Sequence, residues 1–233
     1  MKYLLIIFSI VLIASCRNGI TGSGNIITET RNVAAFTSIS VSGSIKVNVK
    51  MGATTSVIVE ADDNIMPKVI SKVSGNNLTL KLEGINNLRN ATVHINITVP
   101  MLNKVTTSAS AEVSSTEVIT SADKISCSAS SASSIKMDVD APTIFADGSS
   151  GADITLTGRT KNLTAESSSG SDVNLIGLQA ENVTASASSG AEISLFASLG
   201  LKANASSGGN INYKGGAASV VKNVSSGGSV NPE

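Results

Sequence analysis

The chain has 233 residues, with 17 basic and 17 acidic side chains, one His and only 3% aromatic residues. This balance excludes the basic surface that binds nucleic acid, and the scarcity of rings disfavours base stacking, so we expect no nucleic-acid partner. Serine is the unusual component, with 38 residues, of which 28 follow residue 100. Such a density is typical of disorder, but 41% hydrophobic residues predict a folded chain.

Residues 1–15 have the features of a secretory signal. Lys2 supplies the positive charge, and the apolar run 4–13 that follows is too short for a permanent membrane-spanning helix. Residues 13–16, Ile-Ala-Ser-Cys, resemble the bacterial lipobox. The resemblance implies cleavage before Cys16, a lipid on its sulfur and a membrane as partner. The alternative is an ordinary secretion signal that happens to end in Cys.

After this signal, we predict a lipidated Cys and flexible tether over residues 16–24 and a single domain over 25–233. In the first half of that domain, alternating apolar residues predict strands. These strands fall at residues 39–41, 45–49, 57–59, 78–82 and 93–99. Only Asn64 to Val73 has a helical pattern. We therefore expect less regular strands and one short helix here, which cap or extend the second half.

The second half of the chain repeats. Apolar residues recur at intervals of 18 to 20 residues, namely Ile125, Ile144, Leu163, Val183, Leu201 and Val220. A second set follows ten residues later, namely Ile135, Ile154, Val173, Ile193, Ile211 and Val230. Between the two sets lies a small polar turn, most often Ser-Ser-Gly. A short fixed period of this kind predicts a solenoid.

The alternation within each unit predicts which solenoid forms. Residues 154–158 and 163–167 alternate with a period of two, and no unit has a run long enough for a helix. Two short strands and two turns per unit fit one coil of an all-β, parallel β-helix, with regular coils over about 104–233. Stacked coils place equivalent turns about 4.8 Å apart, where Ser and Gly fit. Alanines at 165, 185 and 203 would keep one inner row thin.

The two cysteines have separate predicted roles. If Cys16 carries a lipid, Cys127 has no partner in the chain for a disulfide. Alternation places Cys127 on the same face as Ile125 and Ala129. We therefore predict that Cys127 is a buried small hydrophobe rather than a reactive thiol.

Several short motifs in the first half occur in a characteristic order. They are Gly-Ser-Gly at 22–24, Phe36-x-x-Ile39, Glu-Ala-Asp-Asp-Asn at 60–64 and Val-Pro-x-Leu at 99–102. With the segments around them, they resemble the bacterial family of autotransporter-adhesin head domains called GIN. The resemblance implies a right-handed, single-stranded β-helix in a secreted lipoprotein, often from Bacteroidetes-type bacteria. It brings no catalytic residues to carry over.

The residues offer little for catalysis. His94, the only histidine, alternates with Asn96 and Thr98 on a polar face and lacks a nucleophile motif. We predict no catalytic residue, no cofactor and no zinc site. The alternative is a lyase or hydrolase acting on polysaccharide, on a pectin-lyase-like β-helix. The outward residues of the second strands, however, supply no paired carboxylates for such a site.

One acidic column could interact with a cation. Asp153, Asp172 and Glu192 each precede a second-set apolar residue, so stacking would place like charges on adjacent coils. Either solvent screens them at an exposed edge or a cation lies between them. Since no calcium-loop motif is present, we favour screening.

These observations predict a non-catalytic, lipid-anchored envelope protein that acts as an adhesin or interaction scaffold. Its ligand would be a glycan or a protein, bound on a flat outer face with Phe145, Phe196 and Tyr213 as candidate anchors. Ordinary packing is the alternative for these three rings. An exposed β-helix end could pair with another copy, so a homodimer is a candidate assembly. Residues 17–19 lack the acidic cluster associated with surface-exported lipoproteins, which favours the periplasmic face of the outer membrane.

Overall fold

The computed structural model describes residues 19–85 and 87–233. The predicted signal segment 1–15 and Cys16 therefore lie outside the described residues. Strands of the first half are β1 (Ile20–Thr21), β2 (Ile26–Thr30), β3 (Ser38–Ser42), β4 (Lys46–Met51), β5 (Ser56–Asp62), β6 (Val69–Ser74), β7 (Asn77–Leu82), β8 (Leu88–Arg89) and β9 (Val93–Val99). In these ranges, no helix has the length and apolar character to cross a membrane.

The strands of the second half form the regular part of the fold. They are β10 (Lys104–Ser108), β11 (Glu112–Thr120), β12 (Lys124–Ala129), β13 (Ser134–Gly148), β14 (Asp153–Ser167), β15 (Asp172–Ala187), β16 (Glu192–Ala205), β17 (Asn210–Lys214), β18 (Ser219–Val224) and β19 (Ser229–Pro232). Neighbouring strands here pair in parallel. The chain is thus an all-β solenoid, as the repeat predicted.

The strands stack into two sheets, because each long strand contributes its two ends to different sheets. The first sheet runs β6, β7, β3, β10 and β12, then the C-terminal parts of β13 to β16, then β18. The second runs β2, β5, β9, β4 and β11, then the N-terminal parts of β13 to β16, then β17 and β19. Antiparallel pairs occur only at the N-terminal end of the described sheets, at β6–β7, β2–β5 and β5–β9.

The predicted 19-residue register is confirmed. In the first sheet, Ile144 pairs with Leu163, which pairs with Val183 on the next coil. In the second sheet, Ile154, Val173 and Ile193 follow one another in the same way. All of these side chains are buried. Each coil therefore buries its apolar residues against its two neighbours, as expected for a solenoid.

The expected two short strands and two turns per coil are wrong for the central coils. Strands β13 to β16 each run for 14 to 16 residues without interruption. The chain makes one tight turn per coil, and elsewhere it bends while the backbone ladder continues. Gly158 lies at such a bend with a positive φ of 112°, where a Cβ would collide with the carbonyl oxygen of Val139. Glycine thus allows the strand to bend without losing its pairing.

Sixteen of the 28 serines after residue 100 lie in seven stacked four-residue turns, at residues 108–111, 130–133, 149–152, 168–171, 188–191, 206–209 and 225–228. In the five Ser-Ser-Gly turns, the second Ser has φ between 48° and 55° and the Gly between 67° and 75°. Two successive left-handed residues define a type I′ geometry. Turns also bond to one another, since the Gly151 N–H donates to the Ser169 carbonyl at 3.1 Å. The serine-rich sequence is therefore an ordered ladder.

An inner row close to these turns consists of small side chains. Cys127, Ala146, Ala165, Ala185 and Ala203 occupy one row of the first sheet, and all are buried. Cys127 is thus the small buried residue that alternation predicted, and burial raises the pKa of its thiol to about 12.

The motifs at 22–24 and 60–64 form one hydrogen-bonded cluster at the N-terminal end. Buried Asp62 accepts from the Gly24 N–H and the Thr92 N–H, both at 2.7 Å. Asp63 accepts from the Ser23 hydroxyl at 2.6 Å and from the Asn25 side-chain amide at 2.9 Å, and these two hydrogen bonds lower the pKa of Asp63. Part of the predicted tether, residues 16–24, is also attached here. Strand β1 pairs with β8, so the chain is bound to the domain from Ile20 onward.

The helix predicted from Asn64 to Val73 is wrong. A 3-10 helix covers only Met66–Lys68, and Val69–Ser74 forms strand β6. Strand β6 pairs with β7 in an antiparallel hairpin, and this pairing, with the burial of Val69, overrides the helical pattern.

The turn geometry predicts opposite effects for two adjacent glycine substitutions. Ser169→Gly removes the cost of holding an L-residue in the left-handed conformation, about 1–2 kcal/mol. Glycine loses more conformational freedom on folding, but this cost is smaller. We expect the free energy of unfolding to rise by about 0.5 kcal/mol, measured by chemical denaturation. Ser168→Gly is the matched control, because Ser168 lacks a positive φ. It should lower stability by about 0.5 kcal/mol. A stability change of the same sign in both variants would contradict the presence of backbone strain at Ser169.

Candidate functional site

The three predicted aromatic anchors do not share a face. Phe145 lies on the outer surface of the first sheet, where its side chain is 40% exposed. Phe196 lies at the bend between the sheets, next to Lys214 of the following coil. Tyr213 pairs with buried Leu195 and so points inward, near the C-terminal end. The flat aromatic face expected from the sequence is therefore not formed.

Phe196 instead belongs to a row of outward side chains along the bend. Asp140 pairs with Arg159, Arg159 with Gln179, and Gln179 with Phe196, one residue on each successive coil. At about 4.8 Å per coil, the row extends about 14 Å along the solenoid. It thus presents a carboxylate, a guanidinium, an amide and a ring in line.

This row forms one side of a groove, which we call the corner groove. Its other side carries Pro142, Lys161 and Glu181, and its floor is formed by Ala141, Thr160 and Ala180. The volume is about 490 Å³. The floor is smooth because its three residues are small and almost fully buried. The corner groove is open and shallow, with a floor of small residues and charged side chains on both sides.

The Arg159 guanidinium is the most prominent charged group of the corner groove. Its Nε donates to Asp140 Oδ2 at 2.7 Å, while the Arg159 side chain stays 78% exposed. An exposed pair of this kind contributes little to stability, so both groups are free to exchange partners with a ligand. Planar guanidinium, amide and carboxylate groups form paired hydrogen bonds with hydroxyl groups or anions.

A second depression continues the corner groove toward the N-terminal end. It has a volume of about 510 Å³ and shares Asp140. Its other lining residues include Met51, Pro100, Met101 and Asp123. Met101 is 50% exposed, which provides an apolar contact at the far end. An extended ligand could therefore occupy both depressions.

The sequence did not predict the corner row as a site. Asp140 and Arg159 are 19 residues apart and Arg159 and Gln179 are 20 apart, which is the spacing of the apolar repeat. That signal was available, but a second turn was expected at this place in each coil. The extended bend, which aligns these side chains, emerges only with the three-dimensional structure.

The acidic column forms in the register expected from the sequence. Asp172 pairs with Asp153 on one side and Glu192 on the other. Partial burial and the two neighbouring carboxylates raise the pKa of Asp172. Glu192 also accepts from the Asn212 side chain at 2.9 Å. Within residues 19–85 and 87–233, no group of three or more candidate ligand side chains is arranged to hold a metal ion.

The two residues considered for nucleophilic chemistry lie apart. His94 is exposed on the outer surface of the second sheet, between Glu60 and Lys46. Cys127 is buried in an inner row of the first sheet. A histidine that faces solvent cannot activate a thiol inside the core, so these residues do not form a catalytic pair.

Comparison with known proteins identifies a family. The family model described as "Putative auto-transporter adhesin, head GIN domain" matches residues 35–217. This range covers the corner groove and all but the last coil. A comparison with curated proteins gave no match.

Solved structures with the same fold come from Bacteroides and Parabacteroides species. A putative adhesin from Bacteroides fragilis is 20% identical, with a TM-score of 0.84, and the match covers 92% of this chain and 100% of that chain. A putative lipid binding protein from Parabacteroides distasonis is 18% identical, with a TM-score of 0.76 and coverages of 93% and 100%. A putative adhesin from the same species is 21% identical, with a TM-score of 0.74 and coverages of 93% and 100%. At these identities, the similarity establishes the fold.

The acidic column predicts a stability change that depends on pH. Because the pKa of Asp172 is raised in the folded state, its carboxylate opposes folding above that pKa. The penalty vanishes as the pH falls below the ordinary value of 3.8. Asp172→Asn should therefore raise the free energy of unfolding at pH 7 by a few tenths of a kcal/mol, about the value of one exposed pair. The gain should disappear near pH 3.

The control for this prediction is Glu117→Gln, which removes an exposed carboxylate outside the column. Thermal melts with and without millimolar CaCl₂ test the cation alternative at the same time. Solvent screening predicts the same melting temperature for the unmodified chain in both conditions. A calcium-dependent rise that Asp172→Asn abolishes would instead establish a cation between the carboxylates.

Proposed function

Because the chain belongs to the family of putative auto-transporter adhesin head GIN domains, we propose that it is a non-catalytic, adhesin-like module of the cell envelope. Its ligand is a glycan that lies in the corner groove. The observation that carries this proposal is the row Asp140, Arg159, Gln179 and Phe196. The membership supports the adhesin-like class, and the groove supports the ligand class.

The chemistry of the corner groove favours a sugar chain over a protein. Protein interfaces are anchored by an apolar centre from which charged residues are depleted. The corner groove instead has Arg159, Lys161 and Glu181 within it and one ring, Phe196. Hydroxyl groups satisfy such side chains, while the ring packs on the apolar face of one sugar. Because each coil adds one contact, the row suits a ligand made of repeated units.

The alternative remains an enzyme that cleaves polysaccharide. Such an enzyme would use the two carboxylates of the corner groove, Asp140 and Glu181, as its acid and base. Asp140 accepts a hydrogen bond from Arg159 at 2.7 Å, an exposed contact that a ligand can replace. A degradation assay distinguishes the two functions.

We further propose that the module is anchored by a lipid on Cys16 to the periplasmic face of the outer membrane. Strand β1 begins at Ile20, four positions after Cys16. At about 3.5 Å per residue, β1 lies within about 14 Å of the lipidated residue. Since β1 pairs with β8 and Ser23 bonds to Asp63, the N-terminal end of the solenoid faces the membrane. The corner groove then extends away from the bilayer.

Two substitutions test the ligand site. Phe196→Ala and Arg159→Ala should each weaken binding to the responsive polysaccharide on a glycan array by about tenfold, equivalent to about 1.4 kcal/mol. The reason is the loss of ring packing in one variant and of paired hydrogen bonds in the other. Phe145→Ala is the matched control, because this exposed ring lies on the first sheet outside the groove.

Three results would contradict this assignment. If Phe145→Ala weakens binding and Phe196→Ala does not, the ligand lies on the outer face of the first sheet. If the bound polysaccharide is degraded, with release of unsaturated or shortened sugars, the protein is an enzyme. Unchanged binding in all three variants would place the glycan elsewhere.

The anchor is tested by Cys16→Ser in the full-length chain. We expect the unmodified protein in the membrane fraction, with a lipid detected by mass spectrometry on its N-terminal peptide. Cys16→Ser should leave the membrane fraction, because it lacks the thiol that receives the lipid. A membrane-bound Cys16→Ser variant, or an unmodified chain without lipid, would contradict the proposal.

The side of the membrane can be read with a thiol label in the same cells. Asp147→Cys places an exposed thiol on the first sheet, whereas Cys127 is buried and should not react. An impermeant maleimide should label this variant only after the outer membrane is permeabilised. The chain without the added cysteine is the control, and labelling of intact cells would instead place the module on the surface.

A further inference from the structure

The two ends of the solenoid are built differently. At the N-terminal end, β6 covers the edge of the first sheet and β2 covers the edge of the second, both through antiparallel pairing. Buried Phe36, Ile65 and Met66 lie in the core of that half. At the other end, β18 and β19 are the last strands of the two sheets. No described element pairs with the outer edges of β18 and β19, and the same holds for β6 and β2, so the difference between the two ends lies in their side chains.

The C-terminal end exposes apolar side chains as well as strand edges. All six residues of β18 are exposed. Val220 and Val224 continue inner rows of the first sheet, yet their exposures are 37% and 52%. Val221, on the outer side, is 52% exposed. An apolar strand with a free edge is a template for another β-strand, and a second copy of this chain supplies such a strand at the same end.

One inward side chain at this end is charged. Lys222 pairs with Ala203, and it therefore occupies the row held by Cys127, Ala146, Ala165 and Ala185 on earlier coils. Its Nζ donates to the Val230 carbonyl in the second sheet at 3.1 Å. The same ammonium lies 4.8 Å from the centre of the Tyr213 ring. Lys222 thus crosses the open end of the core from one sheet to the other.

This position makes further stacking costly. A coil added by a second copy would bury the Lys222 ammonium between two layers of apolar side chains. Desolvation of an ion without a counter-charge costs several kcal/mol. Inward-pointing charges at edge strands are a known protection against edge-to-edge pairing. The hydrogen bond to Val230 and the contact with Tyr213 hold the charge in the blocking position.

We propose that Lys222 closes a self-association surface at the C-terminal end of the solenoid. The surface consists of the edges of β18 and β19 with Val220 and Val224, and its occupant would be the same end of a second copy. Lys222 keeps the chain monomeric by making that contact bury an unpaired ammonium. The homodimer considered from the sequence is therefore the assembly that this residue prevents. This proposal is independent of the corner groove and of Cys16.

The test compares two lysine substitutions in the mature chain by sedimentation equilibrium. Lys222→Val should associate, with a dimer fraction that increases with protein concentration. Lys202→Val is the matched control, because Lys202 pairs with Val221 and lies on the outer side of the neighbouring strand. It removes the same charge and adds the same side chain. We expect this control and the unmodified chain to be monomeric over the same concentrations.

Two further variants separate the charge from other effects. Lys222→Gln removes the charge without adding an apolar side chain and should also associate. It keeps the test available if Lys222→Val fails to fold. Adding Val220→Lys to Lys222→Val restores an inward charge to β18 and should restore the monomer. Circular dichroism confirms that each variant keeps its strands. Monomeric, folded Lys222→Val and Lys222→Gln, or an unmodified chain that dimerises through this end, would overturn the proposal.

Discussion

The stacking distance of about 4.8 Å between coils is the constraint on which the rest of the structure depends. Every residue must fit beside the equivalent residue of the next coil at that distance. The turns satisfy this condition by hydrogen-bonding to one another, as in the bond from Gly151 to the Ser169 carbonyl. The ladder therefore continues around the tight turn as well as along the strands. Small side chains fit where equivalent turns stack at this distance, and glycine in addition avoids the strain that an L-residue has in a left-handed conformation.

The same constraint acts differently on the inner and outer sides of the coil. Inner rows must fill a fixed gap between two sheets, so their residues vary little from coil to coil. The row from Ala146 to Ala203 illustrates this, and Lys222 is its exception at the end. Outer rows meet solvent, and only like charges in register carry a penalty, as the raised pKa of Asp172 indicates. Outer residues can therefore differ between coils without loss of the fold.

The sequence predicted the parts of the fold that repeat. The apolar spacing predicted the pairing of Ile144 with Leu163 because a residue and its counterpart must be buried in the same row. It did not predict the continuous strands, since a bend at Gly158 and a turn both interrupt an alternating pattern. The helix expected at 64–73 was wrong because pairing of β6 with β7 outweighed the local pattern. Tyr213 lies two positions after the inward Ile211, so alternation predicts an inward side chain for it as well. It was instead expected on the outer face, because it is one of the few aromatic residues.

The candidate site shows why function was harder to predict than fold. Asp140, Arg159, Gln179 and Phe196 share no residue type, so no motif connects them in the sequence. They are neighbours because the chain stays extended through the bend and pairs there with the next coil, after register shifts between β14 and β15 and between β15 and β16. A solenoid thus converts residues 17 to 20 positions apart into one continuous surface. A binding surface in this architecture can vary in its outer rows, because the core does not constrain them.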